Sequence, residues 1–575
     1  MRRRTLVAAA AGAAAALFAG TACLGQPPPP GPAAPPPPAG PAPLRAPGVV
    51  GSPTLTADPA TNRATISWQV PSDGSAPLHY TIGVSENGLH RGAFICYAPC
   101  TERTINLTPG ASASVSVRAV NSVGGSAIRW SNTVPVSQPC VLACVSVDTT
   151  QNAGPALGRA RGFVHAIGPN TDPARIDALD PQHWRVSGTW NDGSGPQTAA
   201  AHGASLTYVL SGDWHDQTTT GGGAAAPWAD WDRYRAFIVE TMRAVQAAGV
   251  EVEYWEVQNE PGGKDGYYAA GVRPTTDLLL TQYAVAYETI KATDPNAKVV
   301  APSLVAYSDQ PGAANMLLDL RTFLDYAVAH GLRFDAISFH DINYTRPDAY
   351  APDWWGVEPA EVTRNIERLR TLLAERPSLG SPAILVNEYS DATTTGLPGW
   401  SVGRIAALEA ANVDQANRTC WGTCGDGWLD GLLTGDGETT YPNYWVYAYY
   451  AQMSGNRAPV TTSNTSVTAF AATAADGTVR VLLGRHQGCN PGIQGQGICP
   501  NQHALADGEV TLHVRVPSPT VALVTVAAIP AAAKPLPVPV LNLTLPAAVA
   551  LDGLITVPLH GVGDGDALQI TIHPL

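Results

Sequence analysis

Two short stretches hold the residues best suited to chemistry. YWEVQNEPGG (254–263) runs from aromatic and apolar residues into Asn259, Glu260 and a Pro-Gly break, and ILVNEYSD (384–391) runs from apolar residues into Asn387 and Glu388. In each, a carboxylate stands where an apolar run, the mark of a buried strand, stops. Two carboxylates facing one pocket suit cleavage of a glycosidic bond. One protonates the departing oxygen while the other attacks or stabilises the anomeric carbon as it gains oxocarbenium character. One Asn-Glu dipeptide could as well be a helix cap or the partner of an arginine. Two in matching settings, with His340 in the run between them, are a candidate site.

Such acids need a scaffold that aims them at one another. Between about 160 and 455, apolar runs alternate with amphipathic stretches, the pattern of repeated β-α units around a parallel sheet. Eight strands are expected, at 162–168, 183–188, 205–212, 252–260, 298–305, 334–342, 383–390 and 427–434. WADWDRYRAFIVETMRAVQAAG and TTDLLLTQYAVAYETIKATDP read as helices with Gly or Asp-Pro stops. Eight such units fit a (β/α)8 TIM barrel, in which functional side chains project from the C-terminal ends of the strands. Glu260 would stand at the end of strand 4 and Glu388 at the end of strand 7, across the barrel mouth.

The chain has 575 residues, too many for one core. The expected architecture is multidomain, a TIM barrel flanked by two β-sandwiches. Its net charge of −13 arises without long acidic or basic runs, which argues against a nucleic-acid or anionic-membrane partner. Residues 1–23 carry three arginines and a short apolar run, the pattern of an export signal, and end at Cys23. Residues 24–49 are proline-rich and read as an extended polyproline stalk. Short alternating strands predict a sandwich over 50–138, a linker over 139–159 and a second sandwich over 456–575. The last has Phe470 as its only aromatic, which favours packing against the barrel over stacking on sugars.

Apart from Cys23, eight of the nine cysteines fall into local pairs. In an exported protein these read as disulfide loops, Cys96/Cys100, Cys140/Cys144, Cys420/Cys424 and Cys489/Cys499. No histidine pair at zinc-ligand spacing accompanies them, so no metal is expected. No cofactor is expected either, since two acids and water suffice.

Three resemblances refine this reading. Residues 20–23 resemble a bacterial lipoprotein cleavage box, with Gly20 where leucine is usual, which makes Cys23 a candidate lipid anchor. LTPGASASVSVRAVNSVGG (107–125) resembles a fibronectin type III module, with Leu107, Pro109, Gly110, Val115, Val117, Ala119, Asn121 and Gly124 at matching offsets and Trp68 as core tryptophan. Ala113 stands where that family has the tyrosine of its tyrosine corner. Asn259-Glu260-Pro261, with Glu388, resembles the clan A glycoside hydrolases, retaining enzymes on (β/α)8 barrels. GFVHAIG, YWEVQNEP, AISFHDI and VNEYSD are similar to family 39, which includes β-xylosidases and α-L-iduronidases.

That resemblance implies Glu260 as general acid/base, protonated at rest, and Glu388 as ionised nucleophile. It makes Asn259 a donor or acceptor to the sugar hydroxyl beside the reacting carbon. Retention implies carboxyl groups roughly 5–5.5 Å apart. Further expected substrate-site residues are His340, His165 and Arg185, the last fixing Glu388, with Trp190, Trp214 and Trp428 as stacking platforms. Trp184 and Trp255 are expected to pack the barrel. The substrate is a poly- or oligosaccharide whose sugar these motifs do not specify. The alternative reading is an inactive carbohydrate-binding or adhesion lipoprotein on a hydrolase-like barrel; a structural envelope lipoprotein would leave the paired acids unexplained.

Overall fold

The computed structural model describes residues 44–575 except 59–62, 108–110, 137–141, 166–170, 190–193, 220–222, 262–271, 273, 310–316, 343–358, 391–395, 421–428, 430, 436, 465, 487–506, 518–519, 533–534 and 551–552. At its centre eight parallel strands close into a barrel. They are β1 (Gly162–Val164), β2 (His183–Val186), β3 (Ser205–Val209), β4 (Tyr254–Glu256), β5 (Val299–Leu304), β6 (Ala336–Asp341), β7 (Ala383–Tyr389) and β8 (Gln415–Arg418). Seven lie within the expected runs but are shorter. The β3 run turns directly into the helix Leu210–Thr218, and β4 stops at Glu256.

The eighth strand corrects the sequence reading. Among the described residues of 427–434 none belongs to a barrel strand; Leu429 and Leu432 are buried in turns, and Leu433 is buried in an isolated bridge to Thr440. The barrel closes instead through Gln415–Arg418, which pairs with β7 on one side and β1 on the other. All four residues of that strand are buried although three are polar, so hydropathy conceals it. Two of these polar side chains meet partners inside the molecule: Gln415 Nε2 donates to Glu253 Oε2 at 2.9 Å, and the Arg418 guanidinium stands over the Tyr447 ring.

The helices follow their local signals. Asp230 caps Trp231–Ala247 by accepting the Arg233 amide, and Thr275 caps Thr276–Thr293 by accepting the Leu278 amide. Their apolar faces join the strands in one core that includes Trp184, Trp255, Ile238 and Tyr283.

On the N-terminal side, a three-stranded sheet and a second sheet built on His79–Glu86, Leu89–Tyr97 and Ser112–Asn121 enclose Trp68, Tyr80, Ile82, Val115 and Val117. Ala113 is fully buried in this core, while Pro109 and Gly110 lie outside the described residues. Tyr97 donates its hydroxyl to the Tyr307 carbonyl at 3.0 Å, and Arg103 pairs with Glu361 at 2.5 Å, joining these sheets to the barrel.

On the C-terminal side, a four-stranded and a six-stranded sheet share a core of Val481, Leu512, Val524 and Ile570. One of their strands comes from elsewhere. Ala143–Asp148, inside the segment read as a linker, pairs in parallel with Gly508–Arg515 and antiparallel with Val460–Thr462. The barrel is therefore inserted into this β unit. Helix Pro398–Ala411 lies against strands Val467–Thr473 and Val479–Arg485. Gly399 makes that contact close, since a Cβ there would stand 2.0 Å from the Arg485 carbonyl oxygen.

Cys96 and Cys100 form a disulfide across a turn. Cys420 is also disulfide-bonded, while its expected partner Cys424 lies outside the described residues, as do Cys489 and Cys499. Cys144 is free, which corrects the pairing expected with Cys140. It stands in the strand Ala143–Asp148, where its amide donates to Ser463 Oγ at 2.8 Å. Cys23 and residues 24–43 of the stalk lie outside the described residues, as does Cys140; the sandwich begins before the expected boundary, since Pro47 bridges Gly74 and the Gly48 amide donates to the Asp73 carbonyl at 2.9 Å.

Candidate active site

The barrel mouth collects side chains from five strands. Arg185, on β2, is wholly buried and donates in three directions. Its Nε donates to Glu256 Oε2 at 2.9 Å, its Nη1 to Glu388 Oε1 at 2.6 Å, and its Nη2 to Asn259 Oδ1 at 2.6 Å and also to Glu256 Oε1. Burial works against the guanidinium charge, but Glu256 and Glu388 beside it more than offset that and hold it protonated well above its ordinary range. A buried cation between two buried carboxylates makes each arm depend on the others.

Glu256 is the residue the sequence reading missed. It closes β4 with no exposed surface and takes hydrogen bonds from Arg185, from Ser303 Oγ at 2.9 Å and from Asn387 Nδ2 at 2.7 Å. Asn387 Nδ2 also donates to Ser303 Oγ at 2.8 Å, and His340 Nε2 lies 3.1 Å from the same oxygen. Ser303 and Asn387 were likewise not singled out as site residues. A signal was present: Arg185 and Glu256 are opposite charges inside otherwise apolar strands, an arrangement a barrel interior tolerates only when the two meet.

Above this layer stand the two acids. His340 Nδ1, on β6, is 3.0 Å from Glu260 Oε1 and 3.8 Å from Glu388 Oε2. One carboxylate oxygen of Glu260, one of Glu388 and one His340 nitrogen all lie within 4.8 Å of one another. Glu388 and His340 have no side-chain exposure, whereas Glu260 keeps 22% of its side-chain surface open. One acid is thus buried against a permanent cation and the other faces outward. The same three groups present a geometry that could hold a cation, but Arg185 already supplies the positive charge against Glu388.

Backbone strain concentrates here. Glu260 (φ 47°), Ser303 (φ 56°) and His165 (φ 67°) all adopt left-handed backbone without being glycine, a state that costs energy and clusters at functional sites. Glu260 is held in it by donating its amide to the Ser303 carbonyl at 2.9 Å. His165, at the end of β1, donates its amide to the Arg185 carbonyl at 3.1 Å. After β2, the turn is pinned by Asp213, which accepts the Thr189 amide at 3.0 Å and the Tyr208 hydroxyl at 2.6 Å. Burial pushes the Asp213 carboxyl up, and these hydrogen bonds oppose the shift. Gly188 leaves room for this knot, since a Cβ there would lie 2.2 Å from the Tyr208 oxygen.

The structure therefore brings together Glu260, Glu388, Asn259, His340 and Arg185, with His165 joined to them through the backbone. It does not bring Trp214 to them. That ring is 4% exposed, packs edge-on against Tyr234 and Phe237, and donates to the Ala225 carbonyl at 2.7 Å. Its expected stacking role is corrected: the β3 run turns into a helix at Leu210, and that helix faces Trp214 into the core. Trp190 and Trp428 lie outside the described residues.

No protein-family model and no curated protein matches this sequence. Solved structures do resemble it in fold. The protein N2152 from Neocallimastix frontalis aligns over 75% of this chain and 100% of its own, with 19% identity and a TM-score of 0.59. The GH39 enzyme from Xanthomonas axonopodis pv. citri aligns over 75% of this chain and 97% of its own, with 15% identity and a TM-score of 0.53. A monomeric β-xylosidase from Caulobacter crescentus CB15 aligns over 75% of this chain and 99% of its own, with 15% identity and a TM-score of 0.52. The chain thus shares with these proteins a TIM-barrel fold carrying additional β structure.

Proposed function

We propose that this protein is a retaining glycoside hydrolase of the clan A type, similar to family 39, that cleaves a poly- or oligosaccharide by double displacement. The observation that carries the reading is the pair of acids. One oxygen of Glu260 and one of Glu388 lie within 4.8 Å of each other, which favours the roughly 5–5.5 Å carboxyl separation of retaining enzymes over the roughly 6.5–9.5 Å that admits a water in inverting ones. Their settings differ as the two roles require.

Glu388 is the nucleophile. Arg185 Nη1, 2.6 Å from its Oε1, favours the carboxylate, and Oε2 attacks the anomeric carbon as the glycosidic bond breaks. Glu260, partly open to solvent, gives its proton to the leaving oxygen. The covalent glycosyl-enzyme is then cleaved by water, whose proton returns to Glu260, restoring both groups. Asn259, its oxygen fixed by Arg185, is placed beside the acids to hydrogen-bond a sugar hydroxyl. Trp190 and Trp428 remain proposed stacking residues, and no cofactor takes part. The family 39 likeness makes a β-xyloside the first substrate to try.

The proposal extends to the rest of the chain. Residues 1–23 direct export, Cys23 is lipidated, the proline-rich stalk spaces the folded part from the membrane, and the fibronectin-like sandwich serves as a spacer. Globomycin sensitivity of processing and palmitate labelling that is lost in Cys23→Ala test the anchor.

The activity is tested by hydrolysis of a panel of aryl glycosides and polysaccharides, beside Glu260→Gln and Glu388→Gln. Turnover that both changes abolish, with azide restoring bond cleavage in Glu388→Ala, supports the assignment. Absence of turnover across the panel, with glycan binding that survives both changes, overturns it in favour of a binding protein.

A further inference from the structure

The buried layer beneath the acids allows proton positions to be assigned by counting donors. Glu256 is flanked by the Arg185 guanidinium and is a pure acceptor. Asn387 turns its NH2 toward both Glu256 Oε2, at 2.7 Å, and Ser303 Oγ, at 2.8 Å, so it donates to each. Ser303 owns one hydroxyl proton, and its 2.9 Å contact with Glu256 Oε1 consumes it. Toward His340, Ser303 Oγ can only accept. The 3.1 Å contact between that oxygen and His340 Nε2 therefore requires a proton on Nε2.

This fixes the other face of the ring. In a neutral imidazole protonated at Nε2, Nδ1 is a bare acceptor. Nδ1 lies 3.0 Å from Glu260 Oε1, a contact that needs one proton between the two atoms. We infer that Ser303, by committing its hydroxyl proton to Glu256, sets the tautomer of His340 so that Glu260 and His340 hold a single shared proton. Resting on the glycosidase reading, that proton is the one delivered to the leaving group, and Ser303 and His340 are positioning residues for the acid.

The charges facing the pair agree with this. Arg185 from β2 donates to Glu256, Glu388 and Asn259, and its Nη2 also points at Ser303 Oγ from 3.5 Å, a further donor facing that oxygen. Glu388 from β7 stands 3.8 Å from Nδ1, where its negative charge favours keeping a proton in the pair. Asp341, next to His340 on β6, is turned to Arg404 at 2.6 Å. Ser303 is held in place by its left-handed backbone and by its amide, which donates to Ser338 Oγ at 3.1 Å.

The test reads the tautomer directly and needs no knowledge of the sugar. The full protein carrying 15N-imidazole histidine is compared by NMR with Ser303→Ala and Ser303→Thr, and the His340 signals are assigned by their loss in His340→Gln. The expected result is a protonated Nε2 in the wild type and in Ser303→Thr, and growth of an Nδ1-protonated, Nε2-bare form in Ser303→Ala. A bare Nε2 in the wild type, or an unchanged tautomer in Ser303→Ala, overturns the inference. These arms decide it even if no glycoside is turned over.

With an active substrate, Ser303→Ala is expected to lower kcat for glycosides with poor leaving groups by about tenfold more than for dinitrophenyl glycosides, which need little acid assistance. An equal loss across leaving groups, as simple misfolding would give, overturns the link to the acid.

Discussion

Arg185 donates Nη1 to Glu388 Oε1 at 2.6 Å with neither side chain exposed to solvent. The same guanidinium holds Glu256 and Asn259, so the group that favours an ionised Glu388 also sets the depth of Asn259. Lysine is a point charge and has no fork to span these partners. Arg185→Lys is expected to retain the fold while kcat falls by about 100-fold and Tm drops, because Glu256 or Glu388 loses a charge-assisted hydrogen bond worth about 1.5–3 kcal/mol. Steady-state kinetics beside a thermal melt would check both parts; a fully active variant would show that the bridge is dispensable.

Trp214 is expected to matter for stability and not for substrate. Its ring fills a slot between Tyr234 and Phe237, so Trp214→Ala should cost about 3–5 kcal/mol in chemical denaturation. KM of the folded fraction should be unchanged. A large KM effect with intact stability would return it to the sugar site.

Gly399 sets the distance between the barrel and the C-terminal sheets. Its amide donates to the Gly565 carbonyl at 2.6 Å, and an added Cβ would meet the Arg485 and Asp566 carbonyl oxygens at 2.0 and 2.6 Å. Gly399→Ala is expected to destabilise by about 2 kcal/mol or more. Because the helix and the sheets are packed together, the loss should appear in barrel and sheet probes alike. Limited proteolysis that releases one part intact would contradict this coupling.

Acid should weaken the fold through buried histidines. Burial lowers His79, His183 and His486 each to about 4, against 6.5 in the unfolded chain. Above pH 6.5 both states hold these rings neutral, and nothing is lost. As pH falls from 6.5 towards 4 the unfolded chain takes up protons that the folded chain refuses, so stability falls, by about 1.4 kcal/mol per unit of depression for each ring. His486, whose Nε2 lies 2.6 Å from Thr468 Oγ1, occupies the contact between barrel and sheets. His486→Gln should flatten the decline of the denaturation midpoint between pH 7 and pH 5. An equally steep decline would place the acid sensitivity elsewhere.

Much of the site was legible because the acids interrupt apolar runs. Glu260 and Glu388 stand where apolar runs of the sequence give out, and a charge at such a boundary stands out. Glu256 lies within the run itself, where it reads as one polar position of a strand, and its meaning depends on Arg185, 71 residues away. Gln415–Arg418 escaped for the related reason that a polar strand wholly enclosed by the fold has no hydropathy signature. Trp214 was misplaced because nothing local distinguishes a strand that ends from one that turns at once into a helix. The helices were easier, since caps such as Asp230 and Thr275 announce themselves within one turn.

The strand Ala143–Asp148 carries a consequence for the order in which the molecule can assemble. A ribosome delivers this strand before the barrel, yet Ala143 pairs with Val510, 367 positions later. Until that distant partner is made, its edge has no parallel neighbour, and contacts of such long range form slowly. The barrel is therefore completed while both of its tethers are still unanchored, and the last strands synthesised seal the polypeptide on either side of it. A nascent chain stalled before residue 508 would be expected to bind chaperones through that waiting strand.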